Sequence, residues 1–143
     1  RKISMTHLVI DEQGRIAAMF ALTHKAIEIA GEGLSNTTRS KLRRFAELDE
    51  STGCFSVSAF LIAQFGKGDV ADSSLTGDSL MACAMEILSS AQRTVGGGVV
   101  YLECENRPKL LQFYESDTNG FRPFGRRLSE KDQVEYIQLL RFF

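Results

Sequence analysis

Hydroxyl-bearing residues precede a predicted helix start at Gly77 and could bind an anion. The run Ser73-Ser74-Leu75-Thr76 lies directly before that start. The first amides of a helix have no partner within the helix and carry partial positive charge, so with these hydroxyls they would stabilise a group such as a pyrophosphate. Asp78, in the first turn, opposes an anion on charge grounds or simply offsets the helix dipole. The spacing alone leaves anion binding and structural capping open.

Two predicted strands that flank this helix end in residues that could line a crevice. They end at Gln64, Phe65, Gly66 and Lys67 in one case and at Glu103, Cys104, Glu105 and Asn106 in the other. Open sheets bind ligands beyond the carboxyl ends of neighbouring parallel strands, so these two ends mark a candidate site. Gly66-Lys67-Gly68 lies about ten residues before the helix and fits neither the P-loop nor the dinucleotide pattern. We therefore interpret it as the exit from the strand.

The elements that position these residues follow from the apolar pattern. Residues 54–65 are almost free of charge and rich in Phe, Val, Leu and Ile, which predicts a strand buried on both faces at the centre of a sheet. The spacing of Leu80, Ala84 and Leu88 predicts a helix from Gly77 to about Thr94, and residues 99–104 predict the next strand. A strand, helix, strand unit of this kind implies parallel pairing with a right-handed crossover.

Further elements on both sides complete a mixed sheet. Strands are predicted at residues 6–10, 15–29, 121–128 and 135–143, the first two joined by a turn at 11–14. Asn106 can cap a short helix that has Pro108 in its first turn and Tyr114 near its end. The order predicts an α/β fold, a mixed sheet flanked by helices, without an internal repeat.

A basic segment lies between the second and third strands. Residues 35–48 predict a short amphipathic helix or helical loop with Leu42, Phe45 and Leu48 on one side. Its cations are Arg39, Lys41, Arg43 and Arg44. This cluster could hold a phosphate, although a solvated helix face is the favoured interpretation.

At the level of motifs, the chain resembles the GCN5-related N-acetyltransferases, or GNAT acyltransferases, which use acetyl-CoA. Residues 60–65 are similar to the family's central strand, and residues 73–80 to the loop and helix start that hold the CoA pyrophosphate. Of the family's glycine-rich signature, only Gly77 is retained. In the second half, Asn106, Phe113-Tyr114 and Gly120-Phe121 reproduce the family's order of an Asn, a helix ending in Tyr, and Gly-Phe before a strand.

The resemblance implies a catalytic site between splayed parallel strands. Tyr114 would be the general acid toward the CoA sulfur, whereas its spacing alone favours a core aromatic. Glu103 or Glu105 would be the general base, directly or through water, or an ordinary solvated carboxylate. Asn106 would hydrogen-bond the pantetheine arm. The implied cofactor-binding residues are Gln64, Phe65, Gly66, Lys67, Ser73, Ser74, Leu75, Thr76, Gly77, Asp78, Asn106 and Tyr114, with a strand bulge at residues 64–67 freeing backbone donors.

The function implied is transfer of acetyl from acetyl-CoA to a primary amine by direct attack in a ternary complex. Residues 1–143 would form one GNAT-like domain that lacks the family's first strand and helices, so part of the acceptor pocket would lie outside the chain. Two alternatives stay open: a toxin that acetylates aminoacyl-tRNA, with residues 39–44 as the tRNA contact, and a regulatory module that binds acyl-CoA without turnover.

Composition restricts the remaining classes. The 143 residues carry 17 Lys and Arg against 18 Asp and Glu, a net charge of −1, so a nucleic-acid partner is disfavoured. Two His and three Cys without metal-ligand spacing predict no metal site and reduced thiols. No segment resembles a signal peptide or a membrane span, so we expect a cytoplasmic protein without a membrane partner. Phe142 and Phe143 predict a docked C-terminus or a homodimer contact.

Overall fold

In the strands of this chain apolar residues alternate with other residues, and in its helices they recur every three to four positions, so each element has one apolar face. The computed structural model describes residues 4–68 and 75–143. The predicted cofactor residues Ser73 and Ser74 therefore lie outside the described residues. The elements are β1 (Met5–Ile10), β2 (Ile16–Ala30), α1 (Asn36–Leu42), β3 (Leu48–Asp49), β4 (Cys54–Lys67), α2 (Gly77–Val95), β5 (Val99–Glu105), α3 (Pro108–Tyr114), β6 (Arg122–Ser129) and β7 (Val134–Phe142).

The strands form one mixed sheet in the order β1-β2-β4-β5-β7-β6, and the short β3 pairs with β4. Only β4 and β5 are parallel, while the other neighbours are antiparallel. The predicted α/β class, the mixed sheet and the central position of the strand beginning at Cys54 are thus confirmed. The parallel pairing across the crossover through α2 is confirmed as well.

Two apolar clusters pack on opposite faces of the sheet. On the first face, which we call the α2 face, Phe20, Ile62 and Leu102 pack with α2 and α3. On the second, the α1 face, Phe55, Val57 and other strand residues pack around Leu42 of α1. We had expected β4 to be buried on both faces, but its first half alternates, with residues 56 and 58 exposed on the α2 face. That expectation is wrong because the apolar composition does not reveal how far α2 reaches along the strand.

Helix α1 is shorter than the sequence predicts. It begins after Ser35, whose hydroxyl accepts a hydrogen bond from the Thr38 N–H at 3.1 Å, and it ends at Leu42. Phe45 is 45% exposed, so it does not continue the apolar stripe. The segment that follows enters β3 instead, where Leu48 pairs with Phe55. Strand pairing therefore overrides the helical periodicity beyond Leu42.

The start of α3 differs from the prediction. The N-cap is Arg107 in an extended conformation, with no side-chain cap, and Pro108 occupies the first turn as predicted. Asn106 does not cap this helix. Its side-chain Nδ2 donates to Glu135 Oε1 at 2.6 Å, and its N–H donates to the Glu135 carbonyl at 3.1 Å. A partner from β7 thus takes Asn106 away from the capping role.

The end of the chain is docked against the sheet. Phe142 pairs with Val99 in the β5–β7 ladder, and the Phe143 N–H donates to the Gly98 carbonyl at 3.3 Å. The Phe143 ring packs edge-on against Phe60. The predicted docking of the two terminal phenylalanines is therefore present, and a homodimer contact stays a prediction.

Candidate active site

A cleft opens between β4 and β5, the central parallel strands. Their ladder contains two pairs, Phe60 with Val100 and Leu61 with Tyr101. Beyond this point β4 continues to Lys67 and β5 continues to Glu105 without pairing to each other. Backbone donors and acceptors on the facing edges are therefore free of a partner strand, and such groups need another hydrogen-bonding partner.

A bulge in β4 widens this cleft. The β2–β4 register shifts between Met19, opposite Gly66, and Ala21, opposite Ala63. Gln64 lies inside the shift with φ 52°, a left-handed conformation that is uncommon for a residue with a side chain. The bulge turns the backbone of residues 64–66 out of the regular ladder. A cavity of about 430 Å³ adjoins it, lined by Gln64, Phe65, Gly66, Lys67 and Gly68 among others.

The N-terminus of α2 borders the same region. Thr76 caps it, because its hydroxyl accepts a hydrogen bond from the Ser79 N–H at 3.0 Å. Lys67, at the end of β4, reaches across and donates from Nζ to the Leu75 carbonyl at 3.3 Å. A Cβ on Gly77 would lie 2.8 Å from Phe113 Cε1, so glycine allows α3 to pack closely on this helix start. The retained glycine of the family signature thus has a packing role here.

Asp78 is hydrogen-bonded to the buried residue Asn119, which precedes Gly120. Asn119 is 2% exposed, and its Nδ2 donates to Asp78 Oδ1 at 3.1 Å and to the Phe113 carbonyl at 2.8 Å. Its carbonyl accepts from Arg141 Nη1 at 2.7 Å. Asn119 therefore joins the start of α2, the end of α3 and β7. An Asn-Gly pair at a turn gives no sign of this connection.

Tyr114 lies at the cleft on the α2 face. Its ring packs against Phe65 at 6.2 Å, Phe113 at 5.0 Å and Phe121 at 6.1 Å between centroids. Burial, with a smaller contribution from the nearby Cys104 thiol, raises the pKa of Tyr114 to about 12. The phenol is therefore protonated at every physiological pH. This is the state that a proton donor or hydrogen-bond donor requires.

Cys104 is the cysteine of β5 that faces the cleft region on the α2 face. Burial, helped by Glu115 and Glu105, raises the pKa of its thiol to about 11. A thiol in that state is a poor nucleophile. The environment thus disfavours a covalent acyl-enzyme on Cys104 and is consistent with direct transfer.

Glu103 lies on the opposite, α1 face of β5. It accepts hydrogen bonds from Tyr101 Oη at 2.5 Å, from Arg127 Nη2 at 2.9 Å and from Gln138 Nε2 at 3.1 Å. Burial alone would raise the pKa of Glu103, but these three donors outweigh it and lower the pKa. A cavity of about 500 Å³ opens above this group and is also lined by Lys25 and other residues of β2. Glu103 is thus an ionised carboxylate in an open cavity and a weaker base than the sequence suggested.

The other residues predicted from the sequence are at the rim of the site. Glu105 forms an ion pair with Arg107 at 3.4 Å, and both side chains are exposed. Asn106 is exposed and held by Glu135, as described above. The structure therefore brings residues 64–68, 75–78 and Tyr114 to one side of the sheet and Glu103 to the other.

The basic residues near α1 differ in exposure. Arg39 is half-buried, and within the described residues its buried Nε has no hydrogen-bond partner. Lys41, Arg43 and Arg44 are exposed, and Lys41 Nζ lies 5.4 Å from the centre of the Phe142 ring. A phosphate or tRNA contact by this cluster stays a prediction.

Within residues 4–68 and 75–143, no three His, Cys, Asp or Glu side chains are grouped so that they could hold a metal ion. None of the helices in this part of the chain combines the length and apolar character that a bilayer crossing requires.

Solved structures share this fold at low sequence identity. An acyl-CoA N-acyltransferase from Pseudomonas aeruginosa superposes with a TM-score of 0.51 at 19% identity, covering 97% of this chain and 70% of that one. AtaT complexed with acetyl-methionyl-tRNAfMet superposes with a TM-score of 0.60 at 17% sequence identity. Arabidopsis thaliana NAA60 in complex with a bisubstrate analogue superposes with a TM-score of 0.56 at 12% identity. Each of these two alignments covers 94% of this chain and 70% of the other. Neither a known protein family nor a curated protein matches the sequence. The chain thus has the GNAT acyl-CoA N-acyltransferase fold.

Proposed function

We propose that this protein is an N-acetyltransferase that binds acetyl-CoA in the β4–β5 cleft and transfers its acetyl group to a primary amine. The observation that carries the proposal is the two-pair β4–β5 ladder, with a bulge at Gln64 on one side of the opening and Tyr114 beside it. The fold shared with acyl-CoA N-acyltransferases supports it.

The residues around the cleft fit an extended thioester cofactor. Backbone groups of residues 64–67, freed by the bulge, would hydrogen-bond the pantetheine arm and the thioester carbonyl. The N-terminal amides of α2 from Gly77, with Thr76 and Lys67 nearby, would contact the pyrophosphate. Asp78 opposes that contact, and its hydrogen bond from Asn119 holds the carboxylate to one side of the helix start. Asn106 would add a contact to the pantetheine arm from the rim of β5.

Tyr114 would assist departure of the CoA sulfur. In the transfer, the amine nitrogen forms a bond to the acetyl carbon while the bond from that carbon to sulfur breaks. An alkyl thiol such as that of Cys has a pKa of about 8.5, well below the value of about 12 for Tyr114. Full proton transfer to the sulfur is therefore uphill, and the phenol would act mainly as a hydrogen-bond donor to the leaving thiolate.

The acceptor amine would approach from the α1 face, where Glu103 lies. Because Arg127 and Tyr101 keep Glu103 ionised, this carboxylate would bind and orient the ammonium form. The amine would lose that proton to solvent before it attacks the acetyl carbon. Once the carbon–nitrogen bond has formed, the positively charged nitrogen would release its second proton to Glu103 through a water molecule. Glu105 is the alternative base, but its pairing with Arg107 places it at the rim.

Calorimetric titration with acetyl-CoA and with CoA tests the cofactor site directly. We expect a micromolar dissociation constant, equivalent to about −8 kcal/mol. Tyr114→Phe should retain that affinity and reduce acetylation of an amine panel by about a hundredfold. Tyr136→Phe removes a phenol elsewhere and should leave both quantities unchanged. If the folded protein bound neither cofactor, the proposal would fail.

A second candidate is a module that binds acyl-CoA without turning it over. The carboxylate of Asp78 at the start of α2 favours it, because that charge weakens the contact with a pyrophosphate. In this case acetyl-CoA binds, no amine is acetylated, and Tyr114→Phe has no effect on any rate.

A further inference from the structure

A cavity of about 690 Å³ lies at a corner of the sheet that the proposed acetyl transfer does not use. It is bounded by α1, by the loop between α3 and β6, and by the end of β7. Since Arg122, the first residue of β6, pairs with Leu140, the residues of β7 after Leu140 extend beyond β6. It shares no lining residue with the cavity beside the β4 bulge. The two cavities are therefore separate places on the molecule.

In the part of the chain that the structure describes, two arginines on its wall have only backbone carbonyls as hydrogen-bond partners. Arg122 Nη1 donates to the carbonyls of Glu115 at 3.0 Å and Phe121 at 2.7 Å, and Arg141 Nη1 donates to that of Asn119 at 2.7 Å. A carbonyl carries only partial charge, so these bonds fix the guanidinium groups without neutralising them. Burial lowers the pKa of Arg141, which agrees with a cation that has no compensating carboxylate.

A third cation faces the same space. Lys41 lines the cavity with its Nζ above the Phe142 ring. Within residues 4–68 and 75–143, none of the three cations forms an ion pair with a carboxylate. Asp117 is the acidic residue on the wall, so positive charge predominates there. The cavity therefore favours an anion.

Aromatic surface lies beside these charges. The rings of Phe124 and Phe142, both half-buried, belong to the α1 face and line the wall. Thr37 adds an exposed hydroxyl from α1. Cations together with an exposed ring are what recognise a phosphate attached to a planar base, since the base can stack on the ring.

We propose that this corner cavity binds a nucleotide, with its phosphate held by Lys41, Arg122 and Arg141 and its base against the ring of Phe124. The site is independent of the proposed acetyl transfer. A free nucleotide and a single-stranded RNA share this chemistry, and both are included in the test. The net charge of −1 for the whole chain conceals this local excess of cations.

The test measures binding of AMP by calorimetry and of a labelled eight-nucleotide RNA by fluorescence anisotropy, without acetyl-CoA. The double variant Lys41→Gln/Arg122→Gln should weaken both at least tenfold. The control Arg44→Gln/Arg93→Gln removes the same charge from exposed positions outside the cavity and should change affinity less than twofold. For RNA, one phosphate held in the cavity predicts a slope of log K against log salt of about −0.7, which should approach zero in the double variant.

Two further arms keep the result interpretable. Since Arg122 also bonds backbone carbonyls, Lys41→Gln alone is measured, with thermal unfolding of each variant, and should still weaken binding severalfold. CoA carries an adenine nucleotide and can itself enter this cavity, so the competitor for the β4–β5 cleft is pantetheine, which lacks the nucleotide. Saturating pantetheine should not displace either ligand. Tighter binding of the RNA than of AMP assigns a strand, and equal binding assigns the free nucleotide. Displacement by pantetheine, equal weakening in the control, or no binding of either ligand at low salt overturns the proposal.

Discussion

Replacing Asn119 by Asp tests how the two helices beside the cleft are joined. The wild-type amide donates two hydrogen bonds, to Asp78 Oδ1 at 3.1 Å and to the Phe113 carbonyl at 2.8 Å, from a side chain that is almost fully buried. In Asn119→Asp an oxygen takes the place of that nitrogen. Three acceptors then face one another, and an ionised variant would add a second carboxylate beside Asp78.

The expected cost depends on pH. The new carboxyl can donate to one acceptor only when protonated, so its pKa in the folded state rises above the unfolded value of about 3.9. A group whose pKa is higher in the folded state than in the unfolded state stabilises the fold fully at pH values below the unfolded-state pKa. That stabilisation is lost as the pH rises through the folded-state pKa. Each pH unit adds about 1.4 kcal/mol of destabilisation. For a carboxyl that stays protonated in the folded state up to pH 7, the loss should therefore grow from about 1 kcal/mol at pH 4, one hydrogen bond, to about 5 kcal/mol at pH 7.

Urea unfolding at several pH values, followed by far-UV circular dichroism, measures this difference against wild type. Asn119→Ala serves as the control, because it deletes the same hydrogen bonds without a titratable group and should cost a similar amount at every pH. A destabilisation by Asn119→Asp that stays constant from pH 4 to pH 7 would refute the reasoning, since it would mean that Asp78 is not close to residue 119 in solution.

Two further predictions concern the cleft and the face opposite it. Gly77→Ala places a Cβ 2.8 Å from Phe113 Cε1, so the free energy of unfolding measured in urea should fall by about 1–3 kcal/mol. The control is Gly66→Ala, whose Cβ has no atom within 4 Å. It should change the free energy of unfolding by about 0.5 kcal/mol or less. Arg127→Gln removes a donor that lowers the pKa of Glu103, so NMR titration should show this carboxyl protonating at higher pH. In the wild type the pKa of Glu103 is lowered, so the stabilisation from its pairing is present above the pKa of the unfolded state. That stabilisation is lost as the pH falls through the pKa of the folded state. An unchanged Glu103 titration in Arg127→Gln would show that Arg127 does not lower this pKa.

The central unit of the fold was predictable because its signals are local. The apolar run beginning at Cys54 and the helical spacing after Gly77 each specify an element within a few turns of chain. The opening of the cleft was not predictable in the same way. It depends on where β4 and β5 stop pairing and on Gln64 adopting a left-handed conformation, which the residue type does not indicate.

The errors at the candidate site arise from distant partners. Asn106 has a capping side chain, but Glu135 binds it from 29 positions further along the chain. Glu103 reads as a free carboxylate at a strand end, although Arg127 holds it from 24 positions away. In both cases the sequence supplied the right polar residue and gave no information on the group that determines its chemistry.

The two-pair ladder between β4 and β5 has a mechanical consequence. It is the short connection between two parts of the sheet, one formed by β1 to β4 and the other by β5 to β7. A ligand that hydrogen-bonds both edges beyond this ladder would hold the two parts together, and its added stability would grow with the logarithm of its concentration relative to its dissociation constant. Amide hydrogen exchange in residues 62–66 and 102–105 should then slow when such a ligand is bound.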